Sequence, residues 1–135
     1  MSEIIDFQPK KKTAGRLLAV LAGRAPGEPK RNVGQAQLVK NFGLSGDCDS
    51  GPKGRQLALL SQVDWQKSKE VHPDLSFGAL GENLVVSLEL AQLPKGARLR
   101  ISDALIELTA YKAPLYEAKV VLAGIVTEGD PVVIE

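Results

Sequence analysis

The sequence predicts a mainly β domain: a closed or partly open β-barrel of short strands with one or two short helices. Thirteen glycines and eight prolines in 135 residues cut the chain into pieces too short for long helices. The apolar residues between these breaks favour Val, Leu and Ile, as strands do. Turn signals recur at regular spacing, and closing such a sheet on itself removes exposed edges. A chain of this length buries roughly two thirds of the surface its unfolded form exposes, so one core suffices.

The elements follow in order. Residues 1–15, with Pro9 and the run Lys10-Lys11-Lys12, read as a loose arm, and residues 16–135 as a single domain. The triple lysine is of a kind usually solvated. Arg16 to Ala22 is a continuous apolar run of strand length, followed by a Gly/Pro-rich loop through Gly34. Gln35–Val39 and Gln56–Leu60 are further strands, and they flank the stretch GLSGDCDSGPKGRQ at 43–56. Ser61 stands three residues before Asp64, a helix-start pattern, and predicts a short helix carrying Trp65 to about Glu70 before Pro73 stops it. Leu84, Val86, Leu88 and Leu90 alternate onto one face of a strand or strand end. Arg98–Ile101 and Ala104–Thr109 read as two strands about the polar turn Ser102-Asp103, with Leu99, Ile101, Ile106 and Leu108 facing the core. Val120–Val126 and Val132–Ile134 complete seven or eight strands.

Charge and composition narrow the function. A net charge of +1 gives no long-range field for nucleic acid or an anionic membrane, so neither is an expected partner. A single cysteine excludes an internal disulfide, and one cysteine with one histidine cannot build a Cys/His zinc site in the monomer. No metal ligands are assigned. No start resembles a signal peptide and no apolar run spans a bilayer, so cytoplasm is the expected compartment. His72, before Pro73, reads as a surface histidine.

The stretch around Asp47 carries the densest chemistry. Gly46 to Lys53 lacks the Lys-Ser/Thr pair of a P-loop and is followed by a strand. As a calcium loop it fails at Gly51, Pro52 and Ala58, which stand at ligand, turn-glycine and bidentate-glutamate positions. Two readings stay open. The turn is a plain connection whose Asp47 satisfies turn amides, or its backbone N–H groups, with Lys53 and Arg55, form a local anion site. Glu82 and Asn83, crowded between Gly81 and an apolar strand, either hold backbone or point into a pocket.

The set Gly43-Leu44-Ser45-Gly46-Asp47, Arg55 to Leu60, Gly81-Glu82-Asn83-Leu84, Leu93 to Ile101, Glu107-Leu108-Thr109 and Ala113-Pro114 resembles a MOSC domain, the carboxy-terminal domain of molybdenum cofactor sulfurases. The resemblance runs from about Arg16 to Ile134. It implies a β-rich barrel and an anion-lined pocket for the pterin-bound molybdenum cofactor (molybdopterin) or a related anionic, sulfur-containing ligand. It also implies a link to molybdenum ion and pyridoxal phosphate binding, and partners such as a cysteine desulfurase or a molybdoenzyme. The cofactor-binding residues so implied are Asp47, Asp49, Lys53, Arg55, Gln56, Glu82 and Asn83, gathered at one cationic hollow.

Two departures stand out. Asp49 occupies a position where the family commonly has His, and Leu115 occupies that of the motif cysteine after Pro114. Leucine can neither carry a persulfide nor coordinate molybdenum. The segment after it is also short. If the chain is an enzyme, the expectation is a sulfurtransferase-type activity with Cys48 as the catalytic sulfur carrier. Asp47 and Asp49 would raise that thiol's pKa while turn amides, Lys53 and Arg55 would lower it. A degenerate, non-catalytic interaction module is the remaining reading.

Overall fold

A computed structural model describes residues 13–52 and 55–135. Lys53 and most of the expected amino-terminal arm lie outside the described residues. Thr13 to Gly15, read from sequence as arm, belong to the first strand.

The strands are β1 (Thr13–Ala22), β2 (Arg31–Asn32), β3 (Gln35–Val39), β4 (Gly43–Leu44), β5 (Leu57–Ser61), β6 (Leu84–Val86), β7 (Arg98–Ile101), β8 (Ala104–Lys112), β9 (Leu115–Leu122), β10 (Gly124–Thr127) and β11 (Pro131–Ile134), with one helix, α1 (Gln62–Val71). Seven of them run in the order β11-β7-β8-β9-β5-β6-β1, and β11 pairs with β1 to close a barrel. All neighbours in the barrel are antiparallel except β5 and β6, which are parallel and joined through α1. β2 extends β1, and β10-β3-β4 form a separate small antiparallel sheet.

The period-2 rule explains where the core sits. Leu17, Leu59, Leu84, Ile101, Ile106, Val120 and Val132, from all seven barrel strands, join one apolar cluster, and Leu38, Leu44 and Val126 pack the small sheet onto it. Their neighbours on the opposite face form a second cluster of Ala19, Leu21, Ala58, Leu60, Val85 and Leu115, covered by Leu18, Trp65, Phe77 and Leu80. β5 is therefore buried along its whole length. In β1 the register shifts between Leu17 and Ala19, and this bulge flips the phase so that a continuous apolar run serves both clusters.

The helix begins as expected: Ser61 caps it by accepting from the Asp64 amide. Two strand expectations are corrected. Residues 84–90 keep the predicted facing, with Leu84, Val86, Leu88 and Leu90 in the main cluster, but the strand ends at Val86 and a 3-10 turn covers Leu90–Gln92. Val120 to Val126 is not one strand. The chain leaves the barrel after Leu122 and Gly124 opens β10, where a side chain would strike the backbone of Asp103 and Ala104.

Candidate functional site

The site is built where three connections meet: the end of β1, the turn 45–52 and the loop 78–83. Asp47 is its centre. Its side chain is fully buried, and one carboxylate oxygen accepts from the Gly23 amide at 2.8 Å and from the Lys30 ammonium at 2.7 Å. The other lies 3.3 Å from the Ser50 hydroxyl, whose single proton it shares with the Gln56 carbonyl at 2.7 Å. Burial opposes ionisation of Asp47, yet the bonds from Lys30, Gly23 and Asn83, with the Lys30 charge, hold its carboxyl below the ordinary value.

Lys30 is the residue that sequence reasoning missed. It sits at the end of a Gly/Pro-rich loop that reads as exposed, but its side chain is 1% exposed and also meets Asp49 at 2.7 Å. The Lys30 amide donates to the Gly78 carbonyl, and the Lys30 carbonyl lies where a Cβ at Gly78 would be. Gly78, at φ +96°, is thus required by both its backbone conformation and this approach. The signal available in sequence was the pair Asp47/Asp49, two carboxylates in a turn that needs a counter-charge.

The other expected residues gather here in different capacities. Arg55 donates from Nη2 to the Gly81 carbonyl at 2.8 Å and stands 3.9 Å from Asp49. Its side chain is 26% exposed. Its remaining guanidinium donors have no partner among the described residues. Glu82 is fully buried and accepts from the Gly78 and Leu80 amides, folding the loop onto itself. Asn83 accepts from the Ala58 amide and donates to the Leu21 carbonyl, lacing β5 to β1. Gln56 accepts from the Val120 amide and so fixes β5 to β9.

The described cluster is not cationic. Lys30 and Arg55 are balanced by Asp47 and Asp49. The carboxylates and the Cys48 thiol place ligand atoms within 4.8 Å of one another, a spacing that could hold a cation, but the Lys30 ammonium already bonds both carboxylates. Cys48 is half-buried, and its amide donates to the Gly23 carbonyl. Burial first, then Asp49 and Asp47, push its thiol pKa up against the opposing Lys30 charge. Leu115 is 9% exposed and packed in the second apolar cluster.

No protein-family model matches the sequence, and no curated protein does. Solved structures do. The crystal structure of YuaD from Bacillus subtilis matches with a TM-score of 0.77 at 14% identity, over 89% of this chain and 94% of that one. YiiM from Escherichia coli matches with a TM-score of 0.64 at 18% identity, over 89% of this chain and 69% of that one. A structure described as a hypothetical protein matches with a TM-score of 0.70 at 21% identity, over 88% of this chain and 66% of that one.

The fold is of the MOSC type. At these identities the likeness is one of architecture, and the chain spans about two thirds of the length of YiiM and of the hypothetical protein. Leu115, packed in the second apolar cluster, offers no ligand atom. No described helix is long and apolar enough to cross a membrane.

Proposed function

We propose that the protein is a non-covalent MOSC-type binding module acting in molybdenum cofactor or sulfur metabolism, which takes a small anionic ligand at the rim formed by the turn 45–52, Arg55 and the loop 78–82. The observation that supports this is Arg55: half of its fork is fixed on the Gly81 carbonyl while the rest is unpaired among the described residues. A guanidinium pre-oriented in this way suits bidentate contact with a phosphate or carboxylate. Asp49, 3.9 Å away, tunes rather than cancels that contact because its primary partner is Lys30.

Of the ligands the resemblance implies, the molybdenum cofactor fits at one end only. Arg55 suits its phosphate, whereas no described side chain suits its metal: Leu115 has no ligand atom, and the raised Cys48 thiol is flanked by two carboxylates. Covalent capture of pyridoxal phosphate at this cluster would need an available lysine. Lys30 is buried between its two carboxylates, and Lys53 lies outside the described residues. The same facts weigh against Cys48 as a persulfide carrier and favour binding over catalysis.

Titration with molybdopterin released from a denatured molybdoenzyme, followed by pterin fluorescence and native mass spectrometry, tests the reading. Saturable binding weakened about tenfold or more in Arg55→Met is expected. A protein that stays ligand-free under titration and when purified from a cofactor-producing host would refute it and leave the interaction-module reading.

A further inference from the structure

The far face of β9 carries a second feature that the cluster around Asp47 does not use. Leu115 and Tyr116 are neighbours, but they point to opposite sides of the strand: Leu115 joins the cluster beneath α1, and Tyr116 joins the barrel core. At the end of the β8–β9 hairpin Tyr116 lines a cavity of about 130 Å³, floored by Leu93, Pro94, Leu108 and Ala110. Tyr111, its cross-strand partner, lines the same cavity with its ring centroid 4.4 Å from that of Tyr116, yet is 55% exposed.

Two polar groups on this cavity lack protein partners. Tyr116 is 9% exposed as a residue, and its hydroxyl, which makes no hydrogen bond among the described residues, is accessible at the cavity and not sealed in the core. Burial first, then Tyr111 and Asp64, push its pKa up, so it remains a donor across the neutral range. Lys95, on the rim, makes no ion pair among the described residues. The Tyr116 hydroxyl is therefore open to an acceptor brought by a ligand, in exchange for water.

We propose that this cavity is a binding site for a one-ring aromatic carboxylate, its ring lying on the apolar floor against Tyr111 and its carboxylate accepting from the Tyr116 hydroxyl and the Lys95 ammonium. An apolar cavity of about 150 Å³ accommodates benzene, so the apolar part of this one, about 130 Å³, suits a single ring. The tyrosine pair supplies offset aromatic contact, and Lys95 selects the charge. Nothing here depends on the Asp47 cluster, which shares no residue with the cavity.

The test uses benzoate as the probe, with benzyl alcohol and acetate as comparators, read by two-dimensional amide NMR of the whole chain. Benzoate should give saturable shifts at the amides of Leu108, Ala110 and Tyr111. Affinity should fall about tenfold in Tyr116→Phe, which keeps the ring and removes only the donor, and about as much for benzyl alcohol. Ala110→Leu, which fills the floor, should abolish binding, and Lys95→Gln provides an independent surface variant if the filled form fails to fold. No saturable shift at benzoate up to about 10 mM would overturn the site. Equal affinity for benzyl alcohol, or unchanged affinity in both Tyr116→Phe and Lys95→Gln, would overturn the carboxylate assignment.

Discussion

Replacing Lys30 with Met keeps the length and apolar stem of the side chain and removes its ammonium. The partner left behind matters most. Asp47 is fully buried and loses one of its strongest contacts, whereas Asp49, 34% exposed, can turn to water. Removing one member of a buried ion pair costs about 3–5 kcal/mol, and the surviving bonds from Gly23 and Ser50 place this case near about 3 kcal/mol. For a domain of this size that is a fall in Tm of roughly 10–15 °C. Trp65 is the only tryptophan and packs on Phe77, so its fluorescence reports unfolding in urea. The pH dependence gives a second readout. In the wild type the Asp47 carboxyl is held below 3.8, so its contribution is present above that value and lost as pH falls through the lower, folded one. In Lys30→Met, burial is no longer opposed by the ammonium and the carboxyl rises above its ordinary value. The variant's deficit should then shrink as pH falls from 7 toward 4. A loss below about 1 kcal/mol at pH 7, or a deficit independent of pH, would refute the reasoning.

The loop 78–83 and the turn thiol give three further expectations. Gly78→Ala forces a Cβ onto the Lys30 carbonyl at positive φ and should cost about 2 kcal/mol or more, seen in urea unfolding and in faster hydrogen exchange at the Lys30 and Gly81 amides. Glu82→Gln sets an NH2 group against one of the two amides its carboxylate accepts, so a loss of about 1–3 kcal/mol is expected; no change would mean the loop is held elsewhere. The Cys48 thiol should alkylate with iodoacetamide more slowly than a free cysteine at pH 7, and Asp49→Asn should speed the reaction by removing a charge that raises its pKa. Fast wild-type alkylation, or persulfide on Cys48 after incubation with a cysteine desulfurase and cysteine, would restore the sulfur-carrier reading.

Much of the fold was legible because its signals are local. Ser61 and Asp64 mark the helix start within four residues, and the alternation through Leu99, Ile101, Ile106 and Leu108 faces one core whatever surrounds it. Strand ends were less legible. Leu88 and Leu90 keep the right facing after the strand has stopped, and the apolar run at 120–126 hides the break before Gly124, which only the approach of Asp103 and Ala104 imposes.

By itself the sequence determined a barrel of short strands, a turn rich in carboxylates at 46–52, and the absence of a thiol after Pro114, since composition, periodicity and residue identity need no partner in space. Tertiary structure alone decided the charge of the site and the duties of its side chains. Lys30, seventeen residues from Asp47, becomes buried because β1 and the loop 78–83 close around it, Glu82 spends its carboxylate on backbone amides, and Asn83 divides its side-chain amide between backbone and Asp47. Ion pairing depends on distance through space and on exclusion of water, and neither is a property of position along the chain.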